Sequence, residues 1–336
     1  MCPNRGSIKR YDFKRVRTRQ NGGLLQNDGR GHHGSAQIEI INQQKNDLDC
    51  MLEKHAYLIL AHKSDYVLNS LLRLIDDERN DIFIHMDKRN RKYNESKTCS
   101  VVKKATIKHC ERWKCAWGGY SLVKAELSLL ELATKSGNYS YYHLLSGQDL
   151  PIKSQDEIHN FFTSNYGKEF VRFDSQQANF TDRVRIYHFF QEILGHHKNT
   201  LPNRLFLSLQ KKVGITRNKS VIFKKGPQWF SITDGFARFL LQKRTWINQI
   251  FKYTFCPDEF FVQTVLYNSQ YLKSQYLNDQ GDCCGDIARH IDWERGTPYV
   301  FRKCDFEELI NSTKMFARKF DADIDMQIIQ MLNETM

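Results

Sequence analysis

Two adjacent cations stand near the carboxyl end of the chain, in the run Phe-Ala-Arg-Lys-Phe. An arginine offers a planar fork of donors and a lysine offers a point charge, and both suit the oxygens of a phosphate group. Two solvated charges on an edge strand would be the plainer explanation of Arg318 and Lys319. Because Phe316 and Phe320 enclose the pair, we favour a site that binds an anion.

A pair of carboxylates, Asp258 and Glu259, lies in the segment CPDEFFVQTVL. Pro257 suits the first position of a helix, and acids in the first turn suit the helix dipole. Spacing alone therefore favours a helix start. A carboxylate at a helix start beside a cleft is also well placed to act as a general base, so both interpretations stay open.

The elements that position these groups begin with a strand, a helix and a second strand. An apolar run from His55 to His62 predicts a buried strand, and Asp81 to Asp87 predicts the next one. Between them, apolar residues at helical spacing follow Ser64, which we expect to cap a helix. A strand, a helix and a strand within about thirty residues predict a parallel sheet.

The chain continues in the same style. Ligands of such sheets lie at the carboxyl ends of the strands, where this chain carries polar groups such as His62, Asp87 and Asp149. The pattern further predicts a helix ending at Gly137, strands over 139–147, 169–173 and 228–233, a helix opened by a capping box of Ser154 and Glu157, helices over 204–212 and 234–254, and a helical pattern over 324–332.

Composition limits the class of protein. The 336 residues are 40% hydrophobic, enough for a full core. No uninterrupted apolar run of about 18 residues occurs, so we expect no membrane span. The first residues carry charges without an apolar stretch, which is unlike a secretory signal. Nine irregularly spaced cysteines favour free thiols in a reducing cytoplasm over disulfides.

Residues 1–50 differ from the rest, because they are rich in Gly, Asn, Gln and basic residues and poor in apolar ones. We interpret them as a disordered basic tail. An alternative is that translation begins at Met51, directly before the first strand. The net charge of +12 suits a nucleic acid, an anionic membrane surface or a phosphate-bearing small molecule.

Seven segments together resemble the core-2/I-branching glycosyltransferase family, which includes β-1,6-N-acetylglucosaminyltransferases and peptide O-xylosyltransferases. They run in order from His55 to the carboxyl end, so residues 51–336 are expected to form one catalytic domain. The segments are AYLILAHK, IHMDKR, CAWGGYSLVKAELSLL, YYHLLSGQDLPIKS, GPQWFSIT, CPDEFFVQTVL and MFARKFD.

The resemblance implies an α/β GT-A fold, a central and mostly parallel sheet flanked by helices. It implies an inverting transfer, to a hydroxyl of a glycan acceptor, of a sugar from a UDP-linked donor, with N-acetylglucosamine or xylose as the favoured sugar. It also implies independence from a metal cofactor, since the strand that would carry an Asp-x-Asp motif ends in HMDKR with Asp87 alone. The DADID run at Asp321 to Asp325 is expected to be a helix start.

The resemblance also assigns roles to residues. Glu259 matches the general base that takes the proton of the acceptor hydroxyl. Arg318 and Lys319 match the basic pair that binds the donor diphosphate, with Arg295 and Arg302 as weaker candidates nearby. The remaining residues expected at the donor are Asp87, Trp117, Gly118 and Asp149.

On the acceptor side we expect Trp229, Gln228 and Asp258. Trp229 suits a sugar-stacking platform and equally a core aromatic, and Asp258 suits a cap or orienting group. Peptide xylosyltransferases carry an acid where this chain has Gln228, which argues against peptide acceptors. The absence of an anchor pattern favours a bacterial-type cytoplasmic enzyme making a surface polysaccharide or lipid-linked glycan, with peripheral contact to the inner face of the membrane as an option.

Two alternatives remain from other classes. A basic nucleic-acid-binding protein would use the tail and the stretch from Arg183 to Lys212, where aromatic residues alternate with cations. A non-catalytic family member would only bind glycans. The presence of Glu259 and of the Arg318-Lys319 pair argues against the second alternative.

Overall fold

The computed structural model describes residues 54–174, 180–197, 200–277 and 285–336. The predicted boundary between a tail of residues 1–50 and a domain of 51–336 lies outside these described residues. The strands are β1 (His55–Ala61), β2 (Asn80–Met86), β3 (Thr106–His109), β4 (Tyr141–Ser146), β5 (Asp149–Pro151), β6 (Ser231–Thr233), β7 (Arg289–Ile291) and β8 (Phe316–Arg318).

The helices flank these strands, and several short 3-10 turns join them. They are α1 (Tyr66–Leu74), α2 (Glu95–Cys99), α3 (Tyr120–Ser136), α4 (Gln155–Ser164), α5 (Thr181–Arg185), α6 (Gln191–Leu194), α7 (Leu201–Lys212), α8 (Asp234–Gln242), α9 (Arg244–Phe251), α10 (Phe261–Tyr267), α11 (Phe306–Ile310) and α12 (Met326–Thr335). Among the described residues no helix is both long enough and apolar enough to cross a bilayer.

The central sheet has five strands in the order β3-β2-β1-β4-β6. Strands β1 to β4 pair in parallel and β6 joins β4 antiparallel. The predicted unit of β1, α1 and β2 is confirmed, and β1 is almost wholly buried. Two apolar cores lie against this layer, so the predicted mostly parallel α/β architecture is confirmed.

A second sheet of three short strands lies beside the first, in the order β5-β8-β7. Strand β8 carries the predicted cation run and pairs antiparallel with β5 and parallel with β7. The register places Asp149 of β5 opposite Arg318 of β8. Because β5 begins three residues after β4 ends, this small sheet holds β8 at the carboxyl edge of the central sheet.

Several local predictions are confirmed. Ser154 and Glu157 form the predicted capping box: the Ser154 side chain accepts from the Glu157 backbone, and the Glu157 side chain accepts from the Ser154 backbone. Helix α3 ends at Ser136, directly before Gly137. Asp325 of the DADID run caps α12 through the backbone amides of Gln327 and Ile328. Each of these depends on neighbours within four residues, which the sequence displays.

Three local predictions are wrong. The cap of α1 is Asp65, whose carboxylate accepts from the Leu68 backbone, and not Ser64. The helix expected over 234–254 is broken at Lys243 into α8 and α9. The strand expected over 169–173 is reduced to isolated bridges, one of which joins Phe170 to Ser231, because its partner strand β6 is only three residues long.

A row of buried histidines joins β1, β4 and α4. His143 Nδ1 lies 2.7 Å from Ser231 Oγ, and His143 Nε2 lies 3.1 Å from His55 Nδ1. The ring of His159 stacks on that of His55 at 4.0 Å. Burial and the neighbouring ring hold the pKa values of His55 and His143 well below the ordinary value, so both rings are neutral in the folded protein at pH 7.

We expect this row to make the fold acid-sensitive. A histidine kept neutral when folded binds its proton only on unfolding, so its stabilising contribution is present above pH 6.5 and is lost as the pH falls below it. As the pH falls from 7.5 to 5.5, the free energy of unfolding should decrease by about 1.4 kcal/mol more in the wild type than in His55→Asn. Chemical denaturation at the two pH values measures this difference. Equal losses would contradict this, and the exposed His197→Asn serves as the control.

Candidate functional site

Arg318 and Asp149 form the centre of the candidate site. Arg318 Nη1 donates to Asp149 Oδ1 at 2.6 Å and also to Ser146 Oγ. Asp149 is buried and accepts from the Ser146 backbone at 2.8 Å, so its carboxylate is fixed at the end of β4. The structure thus brings together two residues that were predicted separately for donor binding.

Lys319 follows Arg318 and is half-buried. Burial and the adjacent Arg318 charge lower the pKa of its ammonium group. Within the part of the chain that the structure describes, that ammonium group forms no ion pair. Burial and Lys63 lower the pKa of His62, and charges on both Lys319 and Asp87 act on the same ring.

Asp87 lies directly after β2 and is buried. The backbone and the guanidinium of Arg89 donate to its two oxygens at 2.7 and 2.8 Å, and the Cys115 backbone donates at 3.2 Å. Burial alone would raise the pKa of this carboxyl, but the bonds from Arg89 outweigh it and the pKa is lowered. Asp87 is thus a charged and occupied side chain that holds the loop of Cys115.

That loop continues into Trp117 and Gly118, the predicted wall of the donor pocket. The ring of Trp117 is exposed and meets that of Phe255 edge to face. Gly118 has a φ of +68°, and a Cβ there would lie 3.0 Å from Cys256 Sγ, so a side chain would be strained. The Cys256 backbone donates to the Gly118 carbonyl at 2.8 Å. The loop therefore packs on the segment that carries the carboxylate pair.

Glu259 ends the 3-10 turn Pro257–Glu259. Its Oε2 accepts from Arg183 Nη2 at 2.8 Å and lies 3.5 Å from Lys225 Nζ, while its side chain is 33% exposed. Its partial exposure lets an acceptor reach the carboxylate, as a general base requires, and the two cations hold its orientation. Sequence reasoning missed Arg183 and Lys225, because nothing in their local pattern signals contacts with a residue 76 and 34 positions away.

Asp258 turns inward and meets a second acid that sequence reasoning missed. Burial and the Glu259 charge raise the pKa of Asp258 to about 7. Glu126 of α3 is fully buried, and burial together with Asp258 raises its pKa well above the ordinary value. Gln228 Nε2 donates to Glu126 Oε1 at 2.7 Å. Glu126 interrupts the apolar stripe of α3, which was the available signal.

The loop from Gly226 to Trp229 connects these groups. The Gly226 backbone donates to the Glu259 carbonyl at 3.0 Å, and Trp229 lies buried with the Arg318 guanidinium 4.4 Å above its ring. Glu259 and Arg318 therefore contact the two ends of one short loop, whose three Cα steps span at most about 11 Å. Of the two interpretations of Trp229 the structure favours a core aromatic, since Arg318 covers a face of the ring.

The two weaker cation candidates have other surroundings. Nitrogens of Arg295 donate to Asp292, to Asp305 at 2.6 Å and to Glu308 at 3.0 Å, so the structure does not bring this guanidinium to the site. Arg302 has an exposed side chain, and its backbone donates to Asp305 at 2.7 Å. Arg302 therefore lies at the edge of the candidate site, whose central cations are Arg318 and Lys319.

Comparison with known proteins supplies an independent finding. The profile of the Core-2/I-Branching enzyme family matches residues 55–312. The chain is 24% identical over 302 residues to Xylosyltransferase 2 of Rattus norvegicus, covering 84% of this chain and 33% of that protein. It is 26% identical over 304 residues to Xylosyltransferase 2 of Mus musculus, covering 83% of this chain and 33% of the relative.

A more distant relative gives the same picture. Xylosyltransferase oxt of Drosophila melanogaster is 24% identical over 244 residues, covering 67% of this chain and 26% of that protein. The chain therefore spans about a third or less of the length of these curated relatives. The family profile, over residues 55–312, includes β1 to β7 and the carboxylate segment.

We expect Glu126 to lower the free energy of unfolding as the pH rises. Because its folded pKa is raised, the folded state keeps a proton that the unfolded state releases above pH 4.5, and stability falls as the pH rises from there. From pH 5 to 8 the wild type should lose unfolding free energy relative to Glu126→Gln by up to about 1.4 kcal/mol per pH unit. Denaturation curves at several pH values measure this.

The matched control is Glu131→Gln on the same helix. Its carboxylate pairs with Lys135 and Arg244 near the surface, so its curve should run parallel to the wild type over this pH range. A Glu126→Gln curve that also runs parallel to the wild type would contradict the buried, protonated state of Glu126.

Proposed function

Because the chain belongs to the Core-2/I-Branching enzyme family, we propose that it is a glycosyltransferase that moves a sugar from a UDP-linked donor to a hydroxyl of a glycan acceptor. The reaction is inverting and forms a β-linkage. The acceptor oxygen attacks the anomeric carbon on the face opposite to the leaving UDP. This activity fits the biosynthesis of a surface polysaccharide or another glycan.

The observation that carries the proposal is the pair of cations on and beside β8. As the bond between sugar and phosphate breaks, negative charge grows on the leaving diphosphate and must be neutralised. Arg318 is fixed by Asp149 at 2.6 Å, and among the described residues Lys319 has no carboxylate partner. A desolvated ammonium group without a partner, next to a fixed guanidinium, is suited to a phosphate.

Glu259 would take the proton from the acceptor hydroxyl. Its partial exposure leaves room for an acceptor, and Arg183 at 2.8 Å keeps the carboxylate oriented. A second catalytic carboxylate is unnecessary because a phosphate leaves without protonation, unlike the leaving group of a glycosidase. Asp258, which is buried beside Glu126, then orients the turn and does not contact the sugar.

The proposed enzyme is independent of divalent ions, and the contacts of Asp87 and of the DADID run support this. Both oxygens of Asp87 accept hydrogen bonds from Arg89 or Cys115, so this carboxylate is already satisfied by protein groups. In the DADID run, Asp321 and Asp323 lie 4.0 and 3.9 Å from the Lys63 ammonium. Their charges therefore face a lysine near the candidate site.

The sugar and the acceptor follow less directly. The similar curated proteins bear the name xylosyltransferase, which supports xylose as the donor sugar beside N-acetylglucosamine. Gln228 donates to the buried Glu126, where peptide-modifying relatives are expected to carry an acid, so a glycan acceptor is preferred to a peptide. Trp117, with its exposed ring, is suited to the nucleotide end of the donor.

The alternatives from other classes find less support. A nucleic-acid-binding surface needs a row of cations aligned towards solvent. In the stretch from Arg183 to Lys212, Arg183 binds Glu259 and Arg185 donates to the Asn218 and Val221 carbonyls, so among the described cations of this stretch only those of α7 face solvent. Tight, salt-sensitive binding of RNA together with no use of any nucleotide-sugar would favour that alternative. A protein that only binds glycans would not need a carboxylate held by two cations.

Replacing the general base separates binding from chemistry. Glu259→Gln should keep the dissociation constant of UDP and lower turnover of the UDP-sugar by about two to four orders of magnitude, measured by UDP release. Asp174→Asn is the control, because Asp174 shares Lys225 with Glu259 and carries no proton in the reaction. Unchanged turnover in Glu259→Gln, or an equal loss in the control, would remove Glu259 from this role.

Replacing the unpaired cation tests the diphosphate site. Lys319→Gln should raise the dissociation constant of UDP about 10- to 100-fold, the range expected for a lost charged hydrogen bond. Arg295→Gln removes an equal charge from the chain and should leave the constant unchanged, since Arg295 is held by three acids. Titration calorimetry measures both, and equal effects in the two variants would exclude a specific role for Lys319.

A further inference from the structure

The exposed apolar surface of this protein is concentrated in one segment. Fifteen large hydrophobic side chains are exposed among the described residues, and nine of them fall between positions 189 and 222. Scattered apolar side chains are ordinary on a protein surface, whereas a contiguous group marks an interaction site. The nine are Phe189, Phe190, Ile193, Leu201, Leu205, Leu209, Val213, Ile215 and Ile222.

Helix α7 presents the regular part of this surface. Leu201, Leu205 and Leu209 recur every four residues and are 66%, 62% and 57% exposed, so they share one side of the helix. Val213 continues the row beyond the last turn and is also exposed. We call these four side chains the outer face of α7.

The opposite side of α7 is attached through a polar side chain. Gln210 is buried and its amide exchanges two hydrogen bonds with the backbone of Tyr187, at 2.8 and 2.9 Å. An amphipathic helix of a soluble domain usually turns its apolar face inward. Here Phe206 and Leu207 are half-buried and Gln210 is buried, while the four side chains of the outer face stay exposed. The outer face is therefore available to a partner outside the fold.

The segment that carries this face is basic. Positions 189–222 contain six lysines and arginines and a single acid, Glu192. Of these cations Arg217 is buried and Lys211 pairs with Asp182. The Glu192 carboxylate accepts from the Ser121 backbone at 2.7 Å, so it is turned towards the start of α3. Arg204 and Lys212 are exposed on α7 itself. A partner must therefore offer both an apolar layer that the leucines can enter and negative charge.

We propose that the outer face of α7 docks on an anionic lipid bilayer. Leucines of a surface helix enter the boundary of headgroups and acyl chains, and flanking cations meet the lipid phosphates. A second copy of this chain fits poorly, because two strongly basic faces from a molecule of net charge +12 would repel each other.

The segment that carries the docking surface also contacts a loop of the candidate site. Gln191, which begins α6 in this segment, donates to the Trp117 carbonyl at 2.8 Å. Vesicle binding requires neither donor nor acceptor, so this surface can be tested whether or not the proposed transferase activity holds.

The experiment is co-sedimentation of the full chain with lipid vesicles. Vesicles of phosphatidylcholine mixed with phosphatidylglycerol should bind the wild type, and vesicles of phosphatidylcholine alone should bind it far more weakly. The double variant Leu205→Glu with Leu209→Glu should bind the mixed vesicles at least about tenfold more weakly. The control Leu277→Glu with Ile324→Glu changes the same charge at two exposed apolar positions elsewhere and should bind nearly as the wild type does.

A second pair of variants keeps the test decisive if the first misfolds. Arg204→Gln with Lys212→Gln should weaken binding to the mixed vesicles and make it less sensitive to salt. The proposal is overturned if the wild type does not sediment with anionic vesicles, or if the leucine variant binds them like the wild type. It is equally overturned if wild-type sedimentation velocity shows self-association that the leucine variant abolishes while no vesicle binding occurs.

Discussion

The ion pair between Asp149 and Arg318 is the contact on which the rest of the site depends. It joins β5 to β8 at the register where the two strands face each other, and through Ser146 it joins both to the end of β4. Burying such a pair is costly unless further hydrogen bonds satisfy it, and Ser146 supplies them from its backbone and hydroxyl. The pair fixes the end of β8 and therefore the position of Lys319, the next residue.

The loop from Gly226 to Trp229 links this ion pair to the turn of Glu259, the proposed general base. Its first residue is bonded to the Glu259 carbonyl and its last lies under Arg318. Gln228, between them, reaches the buried Glu126. This loop of four residues therefore contacts the turn of Glu259, the buried Glu126 and the guanidinium of Arg318, and it links these parts of the candidate site.

The sequence predicted what is written locally. The unit of β1, α1 and β2 and the capping box at Ser154 are confirmed, because hydrophobic period and caps are properties of neighbouring residues. The short bridge of Phe170 to Ser231 replaced a predicted strand, since a strand needs a partner of matching length. Local pattern likewise could not assign Arg183 to Glu259, because that contact depends on the packing of segments 76 positions apart. The acids of Arg295 lie only 3, 10 and 13 positions away, but the irregular turns between them decide the contacts.

The central claim is that two side-chain cations neutralise the leaving diphosphate without a divalent metal. The most direct measurement is the rate of UDP release from UDP-xylose and UDP-N-acetylglucosamine, with protein stripped of metal and assayed in excess EDTA. The account predicts the same rate in EDTA as in manganese for the donor that is used. A rate abolished by EDTA and restored by manganese would contradict it.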